Sequence, residues 1–249
     1  MDYKLQGTIG VISGGTSGIG LSTAKFLVDA GARVFLVGRQ APKGVKALEQ
    51  LPDGPGQAGF VQADVSTLQG CQKVAQEVKK AAGQVDFLIN SAGCYEEGRL
   101  ETVTAADFDL LMAANVKSTV FLSQQLLPLL RQGGSILNIA SDAALQGNYG
   151  CPLYSAAKGA VVAFTRSLAL DLAPAIRVNC LCPGDVATPL VEKQLQKGGY
   201  TLAEMAAIYP LGRIGRPEEI AHVICSVISP LNGFMTGCII SVDGGLTAK

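Results

Sequence analysis

Short apolar runs alternate with helix-patterned stretches along almost the whole chain, and that alternation leaves few folds open to it. Residues 8–13, 32–37, 60–63, 85–90, 135–140, 176–181 and 238–242 read as strands. They are largely apolar, which suits strands covered on both faces better than strands with one face in water. Between them, residues 21–30, 68–82, 105–130, 152–172 and 217–229 carry apolar side chains at helical spacing, and residues 41–59 hold a shorter helix and a loop rich in Pro and Gly. Buried strands joined by helices build a parallel sheet. The chain is therefore expected to be an α/β protein with a single doubly wound parallel sheet of about seven strands and helices on both faces. No linker, repeat or low-complexity tract breaks the pattern, and residues 1–249 are read as one domain.

Charge narrows the partners. The 20 basic and 20 acidic residues cancel, with no block of either sign, which argues against nucleic acid or an anionic membrane surface. No apolar stretch approaches the ~20 residues of a membrane helix. Residues 1–13 show no basic segment ahead of an apolar run, so a cytoplasmic chain is expected. The cysteines (Cys71, Cys94, Cys151, Cys180, Cys182, Cys225 and Cys238) are scattered through apolar segments and are read as reduced thiols. The lone histidine, His222, leaves neither a histidine-based triad nor a zinc site, so no metal is expected.

Two stretches carry chemistry. The first strand runs into Gly14-Gly15-Thr16-Ser17-Gly18-Ile19-Gly20 and then a helix. Glycines 14, 18 and 20 permit a tight turn that brings a diphosphate to the helix N-terminus, where free N–H groups and the dipole favour anions. The spacing G-x-x-x-G-x-G differs from the commonest dinucleotide fingerprint, but its place between strand and helix suits a Rossmann fold. The second stretch, residues 141–158, offers the Ser141 hydroxyl, the Tyr154 phenol and the Lys158 ammonium. Tyr154 and Lys158, four apart on a helix that Pro152 opens, share one face with Cβ atoms about 5–6 Å apart. An ammonium beside a phenol is expected to lower the phenol pKa and to fit it for general acid/base work.

With these pieces in place, the chain resembles the short-chain dehydrogenase/reductase family, in its branch of chains about as long as this one. The matching pieces are residues 13–20, Asp64-Val65, residues 90–93, Asn115, Ser141, residues 154–158, residues 183–188 and residues 241–245. The resemblance implies that Tyr154 is the acid/base and that Ser141 holds and polarises the substrate oxygen. It implies that Lys158 tunes the tyrosine and binds the nicotinamide ribose, and that Asn115 supports a proton relay behind Lys158. Gly14, Thr16, Ser17, Gly18, Ile19 and Gly20 would take the diphosphate, and Asp64 and Val65 the adenine. Asn90, Ala92 and Gly93 would line the ribose side, and Pro183, Gly184, Val186 and Thr188 would fix the carboxamide. Taken singly, most of these have an equally good structural explanation: Asn115 can cap or kink its helix, Asp64 can be a turn residue, and Pro183-Gly184 can be a bare turn. The ordered set carries the reading.

The resemblance implies an oxidoreductase that moves a hydride between a nicotinamide and a ketone or secondary alcohol. The Tyr154–Lys158 spacing is that of the family's ketone reductases and not of its enoyl reductases. The acid usual after the second strand of NAD enzymes is replaced by Gly38-Arg39, so NADP(H) is favoured, with NAD(H) possible. A homotetramer, or at least a dimer, is expected from family habit. Residues 188–216, with Leu190, Val191, Leu195, Tyr200, Leu202, Met205, Ile208 and Tyr209, are expected to form a lid favouring a hydrophobic or medium-sized carbonyl compound. A helix packed on the core explains the same residues. A carrier-protein substrate ranks lower, since residues 171–176 offer no basic patch. Two other readings stay open: a cofactor-binding sensor or scaffold without turnover, and a structural oligomer without cofactor.

Overall fold

The computed structural model describes residues 2–248. In chain order the elements are β1 (Ile9–Ser13), α1 (Gly18–Asp29), β2 (Arg33–Gly38), α2 (Ala41–Glu49), β3 (Gln57–Gln62), α3 (Leu68–Ala82), β4 (Val85–Asn90), α4 (Ala105–Leu111), α5 (Ser118–Leu126), β5 (Leu130–Ile139), α6 (Pro152–Leu172), β6 (Ile176–Pro183), α7 (Pro189–Gly198), α8 (Leu202–Ala207), α9 (Pro217–Ile228) and β7 (Ile239–Val242). The strands form one seven-stranded sheet in the order β3-β2-β1-β4-β5-β6-β7, every pairing parallel. The order turns back on itself between β1 and β4, so a crevice opens there at the carboxyl ends of the strands.

Neighbouring residues of one strand feed two cores, as the two-residue strand period demands. Val11 joins Val74, Val78, Leu122 and Leu126 on the face covered by α3, α5 and α6. Ile12 joins Leu27, Val28, Ile224 and Ile228 on the face covered by α1 and α9. No helix among the described residues is long and apolar enough to cross a membrane. His222 accepts or donates a 3.1 Å hydrogen bond with Tyr3 and stacks on Phe26 with ring centroids 4.3 Å apart, a packing role.

The sequence boundaries shift at three places, each with a local cause. Residues 105–130 are not one helix: Met112–Lys117 are π-helical, and the chain leaves the helix through Leu127–Leu129, where Pro128 has no N–H to continue it. β5 begins at Leu130 and not at 135; Leu130 pairs with Val85 of β4, and a register shift passes over the polar, glycine-rich Arg131 to Gly134 before Ser135 pairs with Phe87. β3 begins at Gln57 and not at 60, because β2 supplies a parallel partner to a Gln-Ala-Gly stretch that has weak strand propensity of its own.

Arg177, a charge in the middle of β6, carries a stability prediction. It is 9% exposed, and no carboxylate among the described residues pairs with it. Its guanidinium instead donates to the carbonyls of Val227, Ile228, Ser229 and Met235 at 3.1–3.2 Å. Three of those carbonyls end α9, whose dipole favours a cation there. Arg177→Met leaves them buried without donors and is expected to cost about 2 kcal/mol, a Tm drop of roughly 4–8 °C. A thermal melt matching the native protein would show that the carbonyls find other donors.

Candidate active site

The crevice is a continuous cleft of about 990 Å³ running from the end of β2 to the start of α7 and α8. At one end the glycine turn connects β1 to α1. Gly14 and Gly18 hold φ of +67° and +52°, and a Cβ on Gly20 would sit 2.4 Å from the Gly14 carbonyl. Only glycine closes the chain this tightly. The Ser13 hydroxyl accepts from the backbone N–H groups of Ser91 and Ala92 at 3.1 Å, which ties this turn to the loop after β4. Ser17, the N-cap of α1, makes no side-chain cap, and the helix carries no acid in its first turn. Its leading N–H groups are thus left for an anion.

Thr16, Ser17, Ile19, Asp64, Val65, Ala92, Pro183, Val186 and Thr188 line the cleft with Gly14, Gly18, Gly93 and Gly184. Gly20 and Asn90 do not. Gly20 lies under the turn it permits. Asn90 points into the sheet, donating to Ser123 at 2.9 Å and to Asn138 at 2.8 Å, while Asn138 donates to Thr165. Sequence reading missed that buried chain because its members sit on four separate elements. Arg39 lies exposed at the far rim, with Lys43 of α2 lining the same end of the cleft. Lys43 was also missed; it sits in the first turn of α2, whose N-cap Gln40 follows Arg39.

At the inner end, Tyr154 and Lys158 occupy the first two turns of α6, 8% and 6% exposed. The Lys158 Nζ donates to the Ile139 carbonyl at 3.0 Å and lies 5.7 Å from the centroid of the Tyr154 ring. Burial lowers the Lys158 pKa to about 8. Burial is also the main reason the Tyr154 phenol is pushed up, well beyond its ordinary value; the Ser141 hydroxyl pulls against this, and the carboxylates of Asp142 and Asp185 reinforce it. The expected lowering by the ammonium is corrected here: Lys158 sits against the ring, and desolvation of the phenolate is the larger effect.

Ser141 caps the short turn Asp142–Ala144, accepting from the Ala143 N–H at 3.2 Å and donating to Asp142 at 2.7 Å. Asn115 sits in the π-helical turn, 1% exposed. Its amide donates to the carbonyls of Leu111 and Cys94 at 3.0 Å and accepts from the Cys94 N–H at 3.3 Å. It therefore bridges the helix irregularity and the loop after β4. A Cβ on Gly93 would meet Asn115 Oδ1 at 2.6 Å and Lys158 Nζ at 3.4 Å. A bare backbone is needed at Gly93 for the cleft floor to pass these two side chains, which leaves a cradle there. The free helix start, the cationic rim and this cradle suit a dinucleotide.

Over the inner end lie α7 and α8. Val191 and Met205 are buried, while Lys193 and Lys197 pair with Glu96 at 2.6 and 2.9 Å. Tyr200 donates to Glu97 at 2.9 Å, and Tyr209 donates to Asp185 at 2.9 Å. Burial raises the Asp185 pKa to about 6.

A doubly wound sheet whose first turn is glycine-rich, opening on one long cleft, is the architecture of a nucleotide-binding α/β protein. Comparison with known proteins makes that specific. A family profile described as enoyl-(acyl carrier protein) reductase matches residues 14–247. The 3-oxoacyl-(acyl-carrier-protein) reductase FabG of Chlamydia pneumoniae is 34% identical over 99% of this chain and 100% of its own. The NADP-dependent (R)-specific alcohol dehydrogenase of Lentilactobacillus kefiri is 34% identical over 100% of both chains. Among solved structures, L-sorbose reductase of Gluconobacter frateurii, complexed with NADPH and L-sorbose, superposes with a TM-score of 0.93 at 30% identity over 100% of both chains. The short-chain dehydrogenase/reductase of Brucella melitensis gives 0.92 at 32% over 99% of both. The chain belongs to the short-chain dehydrogenase/reductase family of oxidoreductases.

Proposed function

We propose that the protein is an NADP(H)-preferring carbonyl reductase/alcohol dehydrogenase acting on a ketone or its secondary alcohol, with Tyr154 as general acid/base. The observation that supports this most is the burial of Tyr154 and Lys158 together at the inner end of the cleft, with Ser141 beside the phenol. When bound, the nicotinamide supplies the hydride to the carbonyl carbon, or takes it from the alcohol. Tyr154 gives its proton to the developing alkoxide, and Ser141 turns its hydroxyl from Asp142 to the same oxygen. Lys158 holds the ribose hydroxyls and replenishes the proton, with Asn115 fixing the floor behind it. Because burial raises its pKa, the phenol is in its protonated form near neutral pH, the form that can give a proton to the alkoxide.

Leu190, Val191, Met205 and Ile208 line the cleft under α7 and α8 and support a lid over a hydrophobic or medium-sized carbonyl compound. Asp142, Asp185 and Glu97 line the same space without an ion pair among the described residues and favour a second reading, a substrate with several hydroxyls. A steady-state panel of acetophenone, 2-octanone, ethyl acetoacetate and L-sorbose with NADPH separates them. Turnover of L-sorbose alone overturns the apolar preference, and no turnover across a wider ketone panel, with NADPH still bound, favours a sensor. Exposed Phe108 and Leu110 on α4 and Leu170 on α6 support a homotetramer or dimer; a light-scattering mass near 25.7 kDa would contradict it.

The Lys158 pKa gives a pH prediction. Below about 8 the side chain is an ammonium and above it an amine, and only the ammonium gives the ribose hydroxyls a charge-assisted donor and the anionic cofactor an opposite charge. A bound dinucleotide thus raises this pKa, so NADPH affinity is expected to be flat below about pH 7. Above about pH 8 it should weaken by up to roughly tenfold per pH unit. Fluorescence titration of NADPH into the native protein and Lys158→Met checks this. An affinity that stays flat to about pH 9.5 in the native protein would sink it.

A further inference from the structure

Tyr95, in the loop after β4, is aimed at the Tyr154 ring. The two rings meet edge to face, with centroids 4.8 Å apart at 82°, a geometry that aromatic pairs prefer. Both belong to a small apolar cluster with Leu111, Ala143, Cys151 and Leu153, set apart from the main cores. The α6 backbone fixes the Cα of Tyr154 but not the torsions that aim its hydroxyl. Besides Lys158, Tyr95 is the aromatic or charged side chain that packs on that ring.

The hydroxyl of Tyr95 is itself fully engaged. It donates to Glu97 at 2.6 Å, accepts from the Gln194 amide of α7 at 3.3 Å, and lies 3.1 Å from the Cys151 thiol at the start of α6. One O–H donor and two acceptor positions are all that a phenol has. Its O–H is given to Glu97, the Gln194 amide takes one acceptor position, and the Cys151 sulfur, whose S–H also reaches the Tyr149 carbonyl at 3.3 Å, crowds the other. Burial, Cys151 and Glu97 push its pKa up, and its O–H is directed at Glu97.

We propose that Tyr95 is a positioning residue that aims the Tyr154 hydroxyl and couples that aim to the seating of α7. The inference rests on Tyr154 being the general acid. Its two halves separate by substitution: the ring aims Tyr154, and the hydroxyl ties in Gln194 and the start of α6.

The test uses NADPH with the fastest ketone of the panel above, on the full chain. Tyr95→Phe keeps the ring and is expected to raise the ketone KM roughly tenfold with kcat nearly unchanged, as the tie to α7 is lost. Gln194→Ala is expected to raise KM in the same direction. Tyr95→Leu removes the ring and is expected to lower kcat by roughly 100-fold, the scale of a misplaced catalytic group. It also lets water reach Tyr154, so the pH limit of kcat that reports the phenol moves down, a change that general loosening of the fold does not produce. NADPH fluorescence verifies that each variant is folded. Native kcat and native pH profile in Tyr95→Leu would overturn the aiming role. Native KM in both Tyr95→Phe and Gln194→Ala would overturn the coupling, and these two decide it if the leucine variant fails to bind NADPH. Tyr154→Phe in the same assay separates the two levels: if it retains turnover, the reading of the site itself is at fault.

Discussion

Tyr154→Phe is expected to lower kcat for ketone reduction by roughly 10²–10⁴-fold while NADPH binds with nearly native affinity. The substitution deletes one oxygen from a side chain that is 8% exposed and leaves the ring to pack against Tyr95 as before. No neighbour can take over the proton. Ser141 is an ordinary hydroxyl already bonded to Asp142, Tyr95 is committed to Glu97, and Lys158 lies against the ring at 5.7 Å from its centroid and donates to Ile139. Stopped-flow mixing with NADPH-loaded protein reads hydride transfer directly, and equilibrium fluorescence reads the cofactor. A phenylalanine variant that turns over at the native rate would remove Tyr154 from the chemistry and point to a solvent-derived proton.

Much of this was legible in the sequence because local rules and tertiary demands agree there. The glycine turn is visible as a motif, and the fold uses it where no Cβ fits. The seven strands are apolar because helices cover both faces of the sheet. Tyr154 and Lys158 are legible as an i, i+4 pair because α6 is regular at that point. Legibility fails where a side chain's partner lies far along the chain. Asn90 reads as a cleft residue, yet the sheet turns it toward Asn138 and Ser123. Arg177 carries no signal of its role in the sequence, because the carbonyls that close over it at the end of α9 lie 50–52 residues on.

The acid/base electrostatics show the same limit more sharply. Spacing alone puts an ammonium next to a phenol and predicts a lowered phenol pKa. It carries no information on how dry the site is, nor on Asp185, which comes from the other side of the cleft and pushes the phenol the opposite way. The break in the helix over residues 105–130 was only half visible: Asn115 could be read as a kink, but that the irregularity is a π-helical turn of Met112–Lys117 has no composition signature. In both cases the sequence names the residues, and only the packed structure sets the sign or the geometry.

Arg39→Asp is expected to weaken NADPH binding by roughly 100-fold while NADH binding is unchanged or improved, because it deletes a charge-assisted hydrogen bond to the 2′-phosphate and adds a like charge. The position follows β2 directly, where an acid would hold the adenosine ribose of NAD. Gly38 leaves that place without a side chain, and a Cβ there would meet Thr16 at 2.9 Å. Arg39 is exposed and makes no ion pair among the described residues, so its guanidinium is free to turn to a ligand. Its backbone carbonyl accepts from Gln62 at 3.1 Å, which fixes the chain and leaves the side chain loose. Lys43 lines the same end of the cleft and is expected to share the load. Lys43→Ala alone is expected to cost NADPH affinity about tenfold or less, and the two changes together more than either. Because both groups are solvent-exposed, their contribution is expected to fall with salt, so the proposed NADPH preference should narrow as ionic strength rises. Calorimetric titration of both cofactors at low and high salt gives all four comparisons. A native protein with the higher kcat/KM on NADH, together with an Arg39→Asp variant of unchanged NADPH affinity, would show that the 2′-phosphate is not recognised at this rim.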